Sequence, residues 1–211
     1  MPNPPRWAVL KYNPSANLKS GIGFGVAEAL VENGSVVTVS SSNATRVQET
    51  VEKLKKSYPS ASSRISGHAC NLGDEATLED NVKALFEKVG KLDHVVFTAG
   101  DSLAQMELAT VDMEKMKKAG MVRFFAPLMV AKYAAKYLSE GPNSSIVLTT
   151  GAVSERPISG WSVIGSFATG LQGMTRGLAL DLKPIRVNLV SPGAVKTELW
   201  RDMSEEQQSQ M

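Results

Sequence analysis

At 211 residues the chain has the length of one domain that buries its own core without needing disulfides or metal. Its 23 Lys+Arg against 21 Asp+Glu leave a formal charge of +2, and the basic residues are scattered, which excludes the footprint of a nucleic-acid or anionic-membrane binder and points to small molecules or protein as partners. Cys70 is the only cysteine; it excludes an intrachain disulfide and fits a reducing, cytoplasmic compartment, while no stretch reaches the ~20 apolar residues of a membrane span and the proline-rich start is not a signal peptide.

The first strand signal is Trp7-Ala8-Val9-Leu10. A glycine-rich turn, Ser20-Gly21-Ile22-Gly23-Phe24-Gly25, follows and opens a helix over 23–33, closed by Asn33-Gly34. A β-branched run at 35–39 gives the second strand, the period of 44–58 a second helix, and 57–63 reads as loosely structured. A weaker strand at 64–70 precedes a helix over 75–89, with Asp74 as its cap and Gly90 as its stop. Strand 94–97 leads to helical period over 113–138, too long for one straight rod and broken near 123–127 by Pro127. Strand 145–149, helix 166–182 and strand 185–190 complete the series. Strand and helix alternating in this way predict a parallel sheet and one α/β domain over 1–211.

The glycine turn carries the first functional signal. Placed between a strand and a helix, it lets the backbone approach a pyrophosphate while the helix start favours the negative charge. The same glycines also serve a turn needed only for close helix packing, and the spacing alone does not decide between the two.

Further motifs do. Ser-Gly-Ile-Gly before the first helix, Thr98-Ala99-Gly100 after the fourth strand, Gly173-Met174-Thr175-Arg176-Gly177-Leu178-Ala179-Leu180 and Ile185-Arg186-Val187-Asn188-Leu189-Val190-Ser191-Pro192-Gly193 resemble, in that order, a short-chain dehydrogenase/reductase over residues 7–200. The resemblance implies a Rossmann-type doubly wound parallel sheet with strand order 3-2-1-4-5-6. It implies that Ser20, Gly21, Ile22 and Gly23 form the pyrophosphate turn and that Asn71 and Leu72 flank the adenine. Thr98, Ala99 and Gly100 would support the ribose region, and Pro192, Gly193, Val195 and Thr197 would close over the nicotinamide carboxamide. At the end of the second strand a carboxylate selects NAD, whereas a hydroxyl or basic cluster suits the extra phosphate. Here Ser40-Ser41-Ser42-Asn43 and Arg46 stand without a carboxylate, so NADP(H) is the expected cofactor; the serines can equally cap the second helix. The turn departs from the family pattern, since residues 11–19 lengthen the loop and Asn17 falls where the first glycine belongs, which leaves dinucleotide affinity open, as it does an altered gene model.

Family members move a proton with a tyrosine and a lysine four residues on, which share one helix face, assisted by a serine and an asparagine. Registered on the Gly173 block, the tyrosine position is Ile164, the lysine position Ala168, the serine position Gly151 beside Thr149 and Thr150, and the asparagine position Arg123. None of Tyr12, Tyr58, Tyr133 or Tyr137, the four tyrosines of the chain, has a lysine four residues later, so the absence of the dyad does not depend on registration. What remains is chemistry that needs only cofactor and enclosure: hydride transfer to an already cationic acceptor such as an iminium, or cyclisation by proximity.

Ser154-Glu155-Arg156-Pro157-Ile158-Ser159-Gly160-Trp161 is similar to fungal members that lack the tetrad, among them reductase/Diels–Alderase proteins, whose acid near the Gly-Trp pair appears here as Ile158 or Ser159. Arg123 is the catalytic candidate, as a guanidinium for a phosphate, a carboxylate or developing negative charge, or else an ordinary surface arginine. Arg123 is equally a cofactor-binding candidate. Thr150 is a candidate replacement hydroxyl or an ordinary strand end, and Trp161 stacks on substrate or packs in the core. His68 and His94 have no partner spaced for metal. The resemblance thus implies an NADP(H)-dependent oxidoreductase-like protein acting on a small organic substrate in fungal-type secondary metabolism. A silent nucleotide- or partner-binding pseudoenzyme and a cyclase are the alternatives. Against the family pattern, the substrate-covering helix pair and a last strand are cut short at Ser204 to Met211, leaving a sheet edge unpaired and homo-oligomer formation open.

Overall fold

The computed structural model describes residues 3–10, 21–103, 105–193 and 195. Its strands are β1 (Arg6–Leu10), β2 (Val36–Ser41), β3 (Ile65–Ala69), β4 (His94–Phe97), β5 (Ser145–Thr149) and β6 (Arg186–Val190). Its helices are α1 (Ile22–Glu32), α2 (Ala44–Ser57), α3 (Leu78–Val89), α4 (Met113–Gly120), α5 (Ala126–Tyr137) and α6 (Ser162–Asp181). Every strand pair is parallel, as the alternation of elements predicts, and the order is β3-β2-β1-β4-β5-β6, the doubly wound arrangement that the family resemblance implies.

The strands fold as they do because both faces of the sheet are covered. Alternation along each strand sends Ala8, Leu10, Val95, Phe97, Ile146 and Leu148 into one core with α3, α5 and α6. The intervening Val9, Val37, Val39, Val96 and Val147 pack with α1 and α2. α2 seats very close to β3: a side chain at Gly67 would press on Val47 and Val51 of that helix.

Several boundaries differ from expectation. Asp74 does not cap α3; it closes the preceding turn, accepting from Ala76 N at 3.1 Å and Thr77 Oγ1 at 2.9 Å, so the helix starts only at Leu78 with Thr77 at its N-cap. Residues 57–63 are ordered locally: α2 runs to Ser57 and Pro59 starts a 3₁₀ turn, Pro59–Arg64, because proline's fixed φ suits a helical first position. α6 begins at Ser162, four residues earlier than its apolar period indicates. The expected break in the long helical stretch takes the form of a π-helical turn, Met121–Phe125, between α4 and α5. Pro127 then sits in the first turn of α5, directly after the π-helical turn, where the missing N–H and the bulk of its ring coincide with the change of helical pitch.

Candidate active site

Strand β1 has β2 on one side and β4 on the other, so the order reverses there and a crevice opens beyond the carboxyl ends of the strands. On that crevice α1 begins. Gly21 is its N-cap at φ 101°, ψ 165°, a conformation that side chains rarely adopt, and its carbonyl accepts from Phe24 N at 3.0 Å and Gly25 N at 3.2 Å. Ile22 is exposed and Gly23 buried; as in any first helical turn their amides lack intrahelical acceptors. Ser20 and the 11–19 loop with Asn17 lie outside the described residues.

Asn43, not the serines, caps α2: its Oδ1 accepts from Arg46 N at 3.2 Å. The capping role proposed for the serines is thereby removed. Ser41 belongs to β2, is 3% exposed, and its Oγ has no hydrogen-bond partner among the described residues. Ser42 and Arg46 are half-buried beside it. Asn71 is exposed, with its Oδ1 accepting from Gly73 N at 3.0 Å and its carbonyl from Asn81 Nδ2 at 3.0 Å. Leu72 turns its side chain into the core, which leaves only its backbone to flank an adenine. Thr98 continues β4 by donating both N (2.9 Å) and Oγ1 (3.2 Å) to the Leu10 carbonyl, and buried Ala99 leads to Gly100.

Arg123 lies on the π-helical turn and is no free surface arginine. Its Nε donates to Asp101 Oδ1 at 3.0 Å and its Nη2 to the Asp101 carbonyl, with side-chain exposures of 24% and 20%. The guanidinium lies flat against Gly100, where a Cβ would meet Nη1 at 3.1 Å and Cζ at 3.3 Å. Burial pushes the Asp101 carboxyl up, against the pull of the Arg123 charge. Burial likewise lowers Arg123, and Asp101 opposes it. Asp101 escaped the sequence reading, since it lies 22 residues from Arg123 and no spacing links the two.

At the end of β5, Thr150 donates N to the Val190 carbonyl and Oγ1 to the Ala168 carbonyl, both at 2.9 Å. The structure thus brings Thr150 to the α6 face that carries Ile164 and Ala168, but the proton of the hydroxyl is committed to backbone. Trp161 is 7% exposed and packs as core. One edge also lines a pocket of about 240 Å³ with Val153, Pro157, Ile158, Gly165 and Thr169, rimmed by Ser154, Glu155 and Ser162. The Pro192 carbonyl accepts from Ala152 N at 3.2 Å, tying the segment after β6 to that after β5. Gly193 and Val195 are exposed, and Thr197 lies outside the described residues.

His94 stacks on Trp7 at 3.9 Å between ring centroids and bonds Ser145 through Nδ1 at 2.9 Å, far from any ligand set. Among the described residues no group of His, Cys, Asp and Glu is gathered for a metal, and no helix is long and apolar enough to cross a membrane.

The family model of an SDR-like Rossmann domain matches residues 16–209. The chain belongs to the short-chain dehydrogenase/reductase superfamily. This short-chain dehydrogenase/reductase is 48% identical over 190 residues to the short-chain dehydrogenase/reductase fsr5 of Gibberella fujikuroi, covering 88% of this chain and 72% of that protein. It superposes on the MalC reductase/Diels–Alderase of Malbranchea aurantiaca with a TM-score of 0.83 at 35% identity, over 95% of this chain and 76% of that one. A small-chain dehydrogenase solved in complex with NADPH matches with a TM-score of 0.74 at 27% identity, over 99% and 79% of the two chains. Ile164 and Ala168, four residues apart, share the face of α6 whose backbone Thr150 reaches.

Proposed function

We propose that this short-chain dehydrogenase/reductase, acting as one domain, binds NADP(H) across the β1/β4 switch point and serves as an oxidoreductase on a small organic substrate, in fungal-type secondary metabolism, without the Ser–Tyr–Lys relay. The observation that carries the cofactor reading is the unspent, buried Ser41 hydroxyl at the end of β2, where no carboxylate stands. A buried hydroxyl without a partner is costly unless a ligand satisfies it, and Ser42 and Arg46 beside it complete a set suited to a ribose phosphate rather than to bare ribose hydroxyls. The Gly21 turn and first-turn amides of α1 would take the pyrophosphate. The NADPH complex of a dehydrogenase of the same fold supports the reading.

When bound, the cofactor supplies hydride. The chain's own residues supply little proton transfer. Ile164 and Ala168 carry none, and the Thr150 hydroxyl already donates its hydrogen bond to the Ala168 carbonyl. Arg123 keeps donors on the β4–β5 side, which orient an acceptor or hold negative charge without titrating near neutrality. Such a site suits an acceptor that is electrophilic before it binds, an iminium above all, because reducing it asks for no acid.

A second reading, cyclisation by enclosure, is favoured by the pocket beside Trp161, whose apolar walls of Val153, Pro157 and Ile158 could hold reactive groups together; the reductase/Diels–Alderase name belongs to a relative of the same fold. Titration with NADPH and NADP⁺, followed by cofactor fluorescence and calorimetry, tests the main reading. Saturable binding that weakens when Ser41 becomes Ala is expected. No binding of either form at millimolar cofactor overturns it.

A further inference from the structure

The Asp101–Arg123 pair has more hydrogen-bonding capacity than the fold consumes. Of the five guanidinium N–H groups, Nε and one on Nη2 are spent on Asp101, and Nη1 has no partner among the described residues. The pair does not fasten two distant elements, for Asp101 lies in the loop directly after Gly100 and Arg123 in the π-helical turn that packs there. A π-helical turn is less stable than the α-helix it interrupts and recurs where function requires it.

Location adds a second observation. A doubly wound sheet takes a dinucleotide with one half over each wing of the switch point, and the group that reads the adenosine ribose stands at the end of β2. Ser41 occupies that end here. Asp101 and Arg123 stand just beyond β4 on the opposite wing, the wing left to the nicotinamide. The ring carries a positive charge when oxidised and none when reduced, so an uncompensated charge nearby binds the two forms unequally.

We propose that Asp101 is a positioning residue that fixes the Arg123 guanidinium over Gly100 and cancels its charge, so that the site does not disfavour oxidised against reduced nicotinamide. The inference rests on NADP(H) binding as proposed above. With Asp101 in place the unit is neutral and leaves Nη1 as a dipolar donor for a carbonyl or carboxamide oxygen. Without it a lone guanidinium disfavours the cationic ring.

The test measures Kd for NADP⁺ and for NADPH separately, by calorimetry at pH 8, in the wild type, in Asp101→Asn and in Asp101→Asn/Arg123→Gln. For Asp101→Asn the ratio Kd(NADP⁺)/Kd(NADPH) should rise about tenfold, the order of effect of one unscreened unit charge several ångströms away, and the double variant should return it towards the wild-type value. A purely structural role weakens both forms together and leaves the ratio unmoved; that result overturns the inference and leaves NADP(H) binding standing. Failure of the wild type to bind either form overturns the binding reading and the inference with it. Should Asp101→Asn fail to fold, Arg123→Gln alone gives the same reading with opposite sign: the carboxylate left behind lowers the ratio, and an unchanged ratio overturns the proposal.

Discussion

The hydroxyl of Thr150 is bonded to the carbonyl of Ala168 at 2.9 Å, so the end of β5 is fastened to α6 at a residue with no titratable side chain. The strand end and the helix face are held together by this bond with no catalytic dyad between them. We expect Thr150→Val to lower stability by about 1 kcal/mol, the net worth of one hydrogen bond, and Thr150→Ser to be near neutral. Urea unfolding of both variants, compared at constant m, is the check.

Gly21 and Gly25 make a matched pair. Among the described residues a Cβ meets nothing within 4 Å at either, but Gly21 holds φ 101° and Gly25 lies in regular helix. Gly21→Ala should therefore cost about 1–3 kcal/mol through backbone strain alone and weaken nucleotide binding. Gly25→Ala should be neutral or raise stability by up to about 1 kcal/mol. Equal melting temperatures for the two variants would contradict this.

At Gly67 the obstacle is space. A Cβ there would lie 2.8 Å from Val51 Cγ2 and 3.2 Å from the Val39 carbonyl, and would also strike Val47. Gly67→Ala should cost about 1–3 kcal/mol, the usual price of overpacking. Adding Val47→Ala should recover part of it, a coupling that a double-mutant cycle measures directly.

His94 makes stability pH-dependent. Burial, the leading cause, holds its pKa below the ordinary value near 6.5, so the unfolded chain takes up the proton first as pH falls. The contribution is complete above about pH 6.5 and is lost as pH falls through the lower folded value. Unfolding free energy should decrease from pH 7.5 to 5.5, and the decrease should be shallower in His94→Phe, which keeps the stack on Trp7 without the titration.

Cys70 should be inert. It is 3% exposed and burial raises its thiol to about 12, so almost no thiolate exists at neutral pH. Thiol reagents at pH 8 should label it only at the rate of unfolding, and fast labelling of the native protein would contradict the burial.

The sheet was legible because buried parallel strands announce themselves as β-branched runs and alternation with helical period makes them parallel; their order came from the family resemblance instead. Helix starts were less so. Asp74 has the chemistry of an N-cap but spends its carboxylate on the turn before α3, and α6 starts after Trp161 with no side-chain cap to mark the place. That no tyrosine of the chain has a lysine four residues on could be read directly, since it depends only on residue identity. What Arg123 touches could not, because Asp101 is 22 residues away and no periodicity links a loop to a π-helical turn. Nor does a sequence tell a capping serine from one buried at a strand end, the distinction that gives Ser41 its meaning.

The wide turn at Met121–Phe125 has an evolutionary consequence. One residue corresponds to about 100° of rotation on a helix, so a chain shorter by one residue there would swing Arg123 aside and free the space above Gly100. A glycine that tolerates the guanidinium, the arginine itself and the additional residue therefore form a set that must be inherited or lost together. In an alignment of relatives, a side chain at position 100 should appear only where the arginine has gone or the turn has been shortened.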